Sequence, residues 1–241
     1  MALSPDLPPD AEKHAVVEAM FDRIAPRYDR MNRLLSGGLD QRWRSRAVDL
    51  AKIGPGDLVL DVACGTGDLS EMAAARGARV VGVDVAREML RGAQRRGVPA
   101  GLARADVESL PLADGAAAAV VCGFALRNFP ALPPALAEMA RVLRPGARLV
   151  VVEVDRPETP WVRSLHGLWF DRAVPRLGAW LADAEAYRYL PRSTAYLPPP
   201  AELRTLLEKA GFEQVRKRRL LLGAAQILVA QRREERREGG S

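Results

Sequence analysis

The stretch 58–69 constrains the fold of this chain more than any other, because it joins an apolar run to closely spaced glycines. Its first half, with Val59, Leu60 and Val62, is short and apolar, which is typical of a parallel strand covered on both faces. Gly65 and Gly67 follow, and they allow the backbone to approach a ligand closely. The stretch therefore predicts a strand, a glycine turn and a helix, with a nucleotide-like ligand at the carboxyl end of the strand.

Two positions in this stretch narrow the class of ligand. A dinucleotide-binding glycine motif would need glycine at position 70, where the chain has Ser70. Asp61 precedes Gly65 by four residues, and its carboxylate would repel a pyrophosphate. It suits a ligand with a positive amino or sulfonium group, which favours S-adenosylmethionine over a nicotinamide dinucleotide. Thr66 and Asp68 can cap the helix that we expect near Leu69.

The composition limits the number of domains and the kinds of partner that we expect for this chain. The chain has 241 residues, of which 48% are hydrophobic, enough for one α/β domain with one buried core. The formal net charge is +6 and the pI about 9.8, which allows nucleic acid or an anionic membrane as a partner. We favour dispersed arginines as the explanation, because the sequence has no basic patch interleaved with aromatic residues. A nucleic-acid partner is therefore not expected.

The cysteines and the apolar runs argue against a metal site, a signal peptide and a membrane-spanning segment. Cys64 and Cys122 lack the spacing of metal ligands, so no metal site is predicted, and they fit a reduced, cytoplasmic protein. The segment Met1–Asp10 has no apolar core of a signal peptide. No apolar run approaches the roughly 20 residues that span a bilayer.

The chain alternates between strand and helix patterns. Helices are expected near 15–24, around Trp43, and at 69–76, 88–96, 134–143 and 201–210; strands are expected at 79–84, 100–105, 117–124, 148–154, 214–221 and 224–230. We divide this single domain into a flexible arm (1–12), an N-terminal helical flap (13–50), a ligand-binding core (51–156), an inserted Trp-rich cap (157–200), a C-terminal helix and strand pair (201–230) and a disordered tail (231–241).

Acidic residues follow two of the predicted strands. Asp84 lies 17 residues after Gly67, near the interval of roughly 20 at which an acid binds ribose hydroxyls in nucleotide folds. Asp106 follows the third strand. Taken alone, Asp84 is equally explained as a helix N-cap and Asp106 as a turn residue.

These features, over residues 40–230, resemble class I S-adenosylmethionine-dependent methyltransferases. Further motifs resemble the ubiquinone/menaquinone biosynthesis C-methyltransferase family, namely Tyr28–Asn32 with Ser36 and Trp43, Phe124–Asn128, Arg141–Gly146 with Glu153, Tyr187–Ser193 and Gly211–Phe212. The resemblance implies a Rossmann-like, seven-stranded sheet, mostly parallel with an antiparallel last strand, and helices on both faces.

The resemblance also implies a set of cofactor contacts for S-adenosylmethionine. Gly65, Thr66 and Gly67 would form the loop surface, with Asp61 at the amino-acid end of the cofactor. Asp84 would bind the ribose diol. Asp106 would accept a hydrogen bond from the adenine amino group, and Val107 would contact the adenine ring. Gly123 would lie beside the methionine part.

C-methylation needs an electron-rich carbon, so the implied acceptor is a reduced polyprenyl quinol. Arg127 and Asn128 are the expected groups that favour loss of the quinol proton, because a nearby cation lowers the pKa of a phenol. Tyr28 is expected to stack on or hydrogen-bond the ring, and Asp29 to act as base. The alternatives are a surface salt bridge for Arg127 and a core aromatic role for Tyr28. His14 and His166 fall in no matched motif and are interpreted as ordinary polar residues.

The chain departs from the family pattern at four positions. The family usually has histidine where Asp40 stands, lysine for Arg144, glycine for Ala147 and serine for Asp155. Asp40 matters most, because the histidine would be near substrate. The Trp-rich cap is interpreted as a polyprenyl tunnel or membrane interface, with plain core or a dimer face as alternatives.

We therefore expect S-adenosylmethionine-dependent C-methylation of demethylmenaquinol to menaquinol. The alternatives are a ubiquinone-pathway benzoquinol methyltransferase, a methyltransferase for another small molecule or RNA, and a non-catalytic S-adenosylmethionine-binding scaffold. A cytoplasmic location, with transient contact at the inner membrane face, is expected; a homodimer remains open.

Overall fold

A seven-stranded mixed sheet forms the centre of the molecule. The structure is a computed structural model that describes residues 10–155 and 193–234. The strand order is β3-β2-β1-β4-β5-β7-β6. The first five strands are parallel, and β7 runs antiparallel to both β5 and β6. The strands are β1 (Leu58–Val62), β2 (Arg79–Asp84), β3 (Gly101–Arg104), β4 (Ala117–Gly123), β5 (Leu143–Val154), β6 (Phe212–Leu220) and β7 (Ala225–Arg232).

Seven helices surround the sheet within the described residues. They are α1 (Asp10–Ile24), α2 (Tyr28–Ser36), α3 (Leu39–Leu50), α4 (Asp68–Ala74), α5 (Arg87–Arg95), α6 (Leu132–Val142) and α7 (Pro200–Lys209). Short 3-10 turns occur at Ala25–Arg27, Leu126–Asn128, Thr194–Tyr196 and Leu221–Gly223. In the described ranges, no helix has the length and apolarity needed to cross a bilayer. The predicted fold class is confirmed.

Alternation along β1 assigns its side chains to the two faces of the sheet. Leu60 and Val62 pack into the core cluster that contains residues of α6 and α7. Val59 packs into the cluster on the opposite face, which contains residues of α3 and α4. Because successive side chains alternate between faces, Asp61 shares the face of Val59 and points toward α3 and α4.

The N-terminal helices form a third apolar cluster over the carboxyl end of the sheet. Val17 and Met20 of α1, with Met31 of α2, pack against Met89 of α5. Helix α2 ends at Gly37, whose φ of +60° places it in the left-handed region that favours glycine. The predicted flap is therefore a layer of helices that covers the crevice where doubly wound sheets bind ligands.

Several predicted boundaries differ from the structure. Helix α1 begins at Asp10, so residues 10–12 of the predicted flexible arm are helical. Strand β7 continues to Arg232 because Gln231 pairs with both Arg148 and Glu213, so the predicted disorder at 231 and 232 was wrong. Strand β5 begins at Leu143, which pairs with Ala117 before a bulge. Most of the predicted cap, its three tryptophans and His166 lie outside the described residues.

Candidate active site

Two adjoining cavities open at the carboxyl edge of the sheet. The strand-end cavity is lined by residues that follow strands β1 to β4, among them Gly65, Asp84, Asp106, Val107, Gly123, Asn128 and Phe129. The helix-side cavity is lined mainly by α2, α3 and the β6–β7 hairpin, with Asn32, Leu35, Ser36, Asp40, Trp43, Arg127, Leu221 and Ala224 among its residues. Phe21, Tyr28 and Phe124 line both cavities. The two cavities therefore meet at an aromatic boundary.

Strained backbone marks the ends of two neighbouring strands. Ala63 after β1 and Phe124 after β4 have φ values of +52° and +61°, in a region that residues other than glycine rarely adopt. Such conformations cost of order 1–3 kcal/mol each and occur where the surrounding structure enforces them. Both residues line the strand-end cavity, so the strain lies at the cavity wall.

Asp84 at the end of β2 is the best-held acid in the strand-end cavity. One carboxylate oxygen accepts a hydrogen bond from the Gly65 N–H at 2.8 Å, and the other accepts one from the Ala86 N–H at 2.8 Å. Burial raises the pKa of Asp84 to about 6, against the opposing effect of these bonds. Each oxygen retains lone-pair capacity, so the fixed carboxylate can accept two further hydrogen bonds from vicinal hydroxyls.

Asp106 and Val107 line the same cavity next to Asp84. The Asp106 carboxylate accepts a hydrogen bond from the Glu108 N–H at 2.9 Å, which is the turn role that the sequence allowed. Asp106 also lines the strand-end cavity, so the turn presents an acid at the cavity wall. Val107 is buried beside it.

Three residues of the first motif lie behind the cavity wall rather than in it. Asp61 is 1% exposed and accepts a hydrogen bond from Ser70 Oγ at 2.7 Å, and burial raises its pKa to about 7. A Cβ on Gly67 would lie 2.9 Å from Val98, so this glycine permits close packing. Thr66 is buried. None of the three lines either cavity, and their expected contacts with a ligand stay predictions.

Asp29 also lies away from both cavities. Its carboxylate accepts a hydrogen bond from Thr66 Oγ1 at 2.5 Å and faces Arg96 Nη1 at 3.3 Å. Asp29 lies on α2 and Thr66 lies in the glycine turn. The hydrogen bond between their side chains therefore connects the helical flap to the glycine turn. The structure therefore does not place Asp29 where a base would meet an acceptor.

Arg127, which the sequence predicts as a cation beside the acceptor hydroxyl, forms a buried ion pair. Its guanidinium pairs with Glu153, which is fully buried, and donates to Ser193 Oγ at 3.0 Å and to the Phe124 carbonyl at 2.7 Å. The salt-bridge alternative is thus present, though in the interior. Asn128 lines the strand-end cavity while Arg127 lines the helix-side cavity, so the two do not act at one position.

Tyr28 occupies the boundary between the cavities. Its ring meets that of Phe21 edge to face, with centroids 5.8 Å apart. Burial raises the pKa of Tyr28, and the nearby Arg44 and Asn32 only partly oppose this. The hydroxyl is therefore neutral near pH 7 and can donate a hydrogen bond. Tyr28 lines both cavities, and its role beside the acceptor ring stays a prediction.

Asp40 is the one carboxylate among the described residues that line the helix-side cavity. It is 2% exposed and accepts hydrogen bonds from Ser36 Oγ at 2.8 Å and from Gln41 Nε2 at 3.0 Å. In the sequence, Asp40 stands out only as a departure from the family pattern. That departure was the available signal that Asp40 lies in the site.

Arg44 has no counterpart among the residues chosen from the sequence. It is buried, lies 3.8 Å from Asp40 and 3.6 Å from Asp68, and stacks over the Phe124 ring at 4.9 Å. A Cβ on Gly123 would lie 2.6 Å from its Nη1, so the glycine makes room for the guanidinium. The spacing Asp40-x-x-x-Arg44 on a helix was the only sequence signal.

The two cavities suit two different partners. The strand-end cavity combines a fixed carboxylate with apolar walls from Met89, Val107 and Phe129, which fits a ribose attached to a planar ring. The helix-side cavity has aromatic and aliphatic walls with one acid, which fits an aromatic acceptor bearing a hydroxyl. The arrangement can bring two molecules together at the Tyr28 boundary.

Comparison with known proteins gives a consistent result. Residues 10–232 match the family model described as the ubiE/COQ5 methyltransferase family. A demethylmenaquinone methyltransferase of Thermus thermophilus is 46% identical over 220 residues, 88% of this chain and 100% of the relative. A ubiquinone/menaquinone biosynthesis C-methyltransferase of Syntrophotalea carbinolica is 46% identical over 85% of this chain and 89% of its own length.

Solved structures share the fold at low sequence identity. An S-adenosylmethionine-dependent methyltransferase of Thermotoga maritima superimposes with a TM-score of 0.63 at 19% identity, over 90% of this chain and 99% of that chain. One from Aquifex aeolicus has a TM-score of 0.58 at 18% identity, over 84% and 97%. These similarities bear on the fold alone.

Proposed function

The chain belongs to the ubiE/COQ5 methyltransferase family, and from this membership we propose that it methylates a ring carbon of a reduced polyprenyl quinol, using S-adenosylmethionine and converting demethylmenaquinol to menaquinol. The observation that carries the proposal is the pair of cavities that meet at Tyr28, one with a fixed acid and the other with aromatic walls. Two reactants held side by side gain effective concentration, with a ceiling of roughly 7–11 kcal/mol of the barrier.

The strand-end cavity holds the methyl donor in this proposal. Asp84 accepts hydrogen bonds from the ribose hydroxyls, Asp106 accepts one from the adenine amino group, and Val107 contacts the ring. Gly65 and Gly123 line the cavity with backbone alone. S-adenosylmethionine supplies an electrophilic methyl group when it is bound. Asp61, Thr66 and Gly67 act indirectly by fixing the glycine turn, because their side chains or packing face away from the cavity.

The helix-side cavity orients the acceptor ring. Trp43 and Phe124 have ring centroids 6.5 Å apart and form one wall, and Tyr28 closes the boundary toward the methyl donor. The neutral Tyr28 hydroxyl donates a hydrogen bond to an acceptor oxygen. Apolar walls exclude water, which strengthens every polar interaction inside the cavity.

Asp40 takes the acceptor's hydroxyl proton in this proposal. Proton transfer from the hydroxyl to an Asp40 carboxylate oxygen leaves negative charge on the quinol ring and makes its carbon more nucleophilic. Ser36 and Gln41 donate to the carboxylate and hold its orientation. This assigns to Asp40 the role that the sequence suggested for Asp29. A carboxylate in place of the family's histidine retains a base, which argues against a non-catalytic scaffold.

Arg127 and Asn128 act by position rather than as exposed proton-withdrawing groups. The charge of Arg127 is offset by Glu153, and its bonds to Phe124 and Ser193 fix the loop after β4 against neighbouring segments. Asn128 follows on the same turn and lines the strand-end cavity. Together they hold the aromatic boundary in place.

The direct test is transfer of labelled methyl from S-adenosylmethionine to chemically reduced demethylmenaquinone. Oxidised demethylmenaquinone, a ubiquinone-pathway benzoquinol and RNA serve as parallel acceptors. We expect label in the reduced demethylmenaquinone and none in the oxidised form, because only the quinol has an electron-rich ring. Label in the benzoquinol alone would move the acceptor to the ubiquinone pathway. Label in RNA alone, or none anywhere despite measured cofactor binding, would refute the proposal.

A further inference from the structure

The tip of the β6–β7 hairpin exposes two consecutive leucines. Leu221 is 54% exposed and Leu222 is 69% exposed. Their φ values are +43° and +54°, a left-handed conformation that a leucine adopts only under constraint. Asparagine or glycine would suit this backbone better, and a polar residue would suit the exposure better. The backbone conformation and the solvent exposure of Leu221 and Leu222 both disfavour leucine. A leucine pair that is kept against both preferences indicates a function for apolar side chains at this tip.

The hairpin lies at the mouth of the helix-side cavity. Strands β5 and β6 are both antiparallel to β7, so β6 runs in the same direction as the parallel strands. Its carboxyl end consequently lies at the edge of the sheet where the cavities open. Leu221, Ala224 and Ala225 line the helix-side cavity, whereas Leu222 does not and points to solvent. The exposed tip is thus continuous with the wall of the acceptor cavity.

The β6–β7 hairpin is rich in basic residues. Residues 214–233 contain six arginines and lysines and no aspartate or glutamate. Arg216 and Arg218 are exposed on β6, which is an edge strand. Lys217 is paired with Asp155 and adds little to the outer charge. An apolar tip flanked by exposed arginines matches the chemistry of an anionic lipid surface, where side chains contact acyl chains and guanidinium groups contact phosphates.

We propose that the β6–β7 hairpin docks the protein on an anionic phospholipid bilayer, with Leu221 and Leu222 inserted below the headgroups. Docking directs the helix-side cavity toward the lipid phase, from which a polyprenyl acceptor can enter without crossing water. The role of this docking in acceptor delivery rests on the proposed function, whereas bilayer binding does not. With two leucines and a few arginines, attachment is reversible and falls with ionic strength.

Vesicle co-sedimentation of the full-length protein tests the docking. The vesicles are phosphatidylcholine with phosphatidylglycerol, compared with phosphatidylcholine alone. Leu222→Asn removes the apolar side chain and tolerates the left-handed backbone, and we expect it to weaken binding at least about tenfold. Leu222→Met retains binding. Val16→Asn, at an exposed apolar position on α1 (42% exposed), is the matched control and binds like the parent chain.

Three results of the vesicle experiment would overturn the proposal. The first is parent protein that stays in the supernatant with anionic vesicles at low salt. The second is Leu222→Asn binding that equals parent binding when both melt at the same temperature. The third is binding to phosphatidylcholine that is as strong as binding to the anionic vesicles.

Kinetics separate docking from catalysis. With a long-tailed quinol in anionic vesicles, Leu222→Asn should raise KM several-fold, and with a short-tailed, water-soluble quinol its kcat and KM should be those of the parent. An equal loss with both acceptors would contradict docking and indicate a structural defect. If the parent binds vesicles but methylates neither quinol, the proposed function fails while the docking surface stands.

Discussion

The strand-end cavity and the helix-side cavity differ in how the chain builds them. The first is formed by residues that directly follow parallel strands, such as Gly65, Asp84 and Asp106, and its one strongly held acid is fixed by backbone N–H groups. The second is assembled from two N-terminal helices and a C-terminal hairpin. The strand-end cavity is thus formed mainly by the ends of the sheet strands, whereas the helix-side cavity depends on segments that pack onto the sheet.

The two cavities also differ in their supporting charges. Two buried ionic groups lie at the wall of the helix-side cavity, Arg127 with Glu153 and Arg44 with Asp40 and Asp68. Asp84 has no such partner among the described residues and relies on backbone donors. We therefore expect changes in the strand-end cavity to alter ligand affinity, and changes around the helix-side cavity to alter turnover or stability.

The largest effect is expected for Asp84→Ala. Loss of two charge-assisted hydrogen bonds to the ribose should weaken binding of S-adenosylhomocysteine about 1,000-fold, as measured by calorimetry. Asp40→Asn, on the other side of the boundary, should bind as the parent does. Tight binding by Asp84→Ala would end the ribose assignment, and weak binding by Asp40→Asn would show that the cavities are not independent.

A comparable effect on stability is expected for Arg127→Ala. Removal of the guanidinium leaves Glu153 buried without its cation, which should lower the free energy of unfolding by about 3–5 kcal/mol in urea. The double variant Arg127→Met/Glu153→Gln should recover much of this loss because it removes both charges. A stable Arg127→Ala protein with reduced turnover would instead return Arg127 to direct catalysis.

A smaller loss, in turnover alone, is expected for Asp40→Asn. Loss of a proton acceptor should lower kcat about 100-fold while cofactor binding is kept. Asp40→His restores a base, and its activity should fall below pH of roughly 6.5, the ordinary pKa of histidine. If Asp40→Asn turns over at the parent rate, the proton leaves by another route.

The pKa of Asp84, raised by burial to about 6, predicts a modest pH effect on cofactor affinity. Because the ionised carboxylate would accept the ribose hydrogen bonds in the proposed site, protons should compete with the ligand below that pH. Binding of S-adenosylhomocysteine at pH 5 should be about tenfold weaker than at pH 7, as one pH unit below the pKa leaves about a tenth of the group ionised. Asp84→Asn should show no such dependence.

The smallest effect is expected for the contact between flap and glycine turn. Asp29→Asn should lower stability by about 1 kcal/mol, because it weakens the bonds from Thr66 and Arg96 at a partly exposed site. Turnover should stay close to that of the parent. A double-mutant cycle with Thr66→Val measures the coupling. A large fall in kcat with Asp29→Asn would restore Asp29 as the base.

The sequence by itself determined the sheet and the acids that follow its strands. Short apolar runs and the glycine turn at 65–67 reflect local rules, so β1, β2 and the position of Asp84 could be predicted. The helices near 15–24 and around Trp43 were also predicted, because α1 and α3 show helical spacing of apolar residues. A residue that directly follows a parallel strand reaches the ligand edge wherever the rest of the chain goes.

Tertiary structure alone decided which side chains meet. Asp61 and Asp29 lie in matched motifs but face Ser70 and Thr66, because strand alternation and helix rotation turn them away from the cavities. Asp40 of α3 lines the helix-side cavity only because α3 packs on the sheet, and Arg44 of the same helix packs against Phe124 at the cavity wall. Leu221 joins them from more than 170 residues away. Long-range packing has no local signal in the sequence, so these contacts required the folded chain.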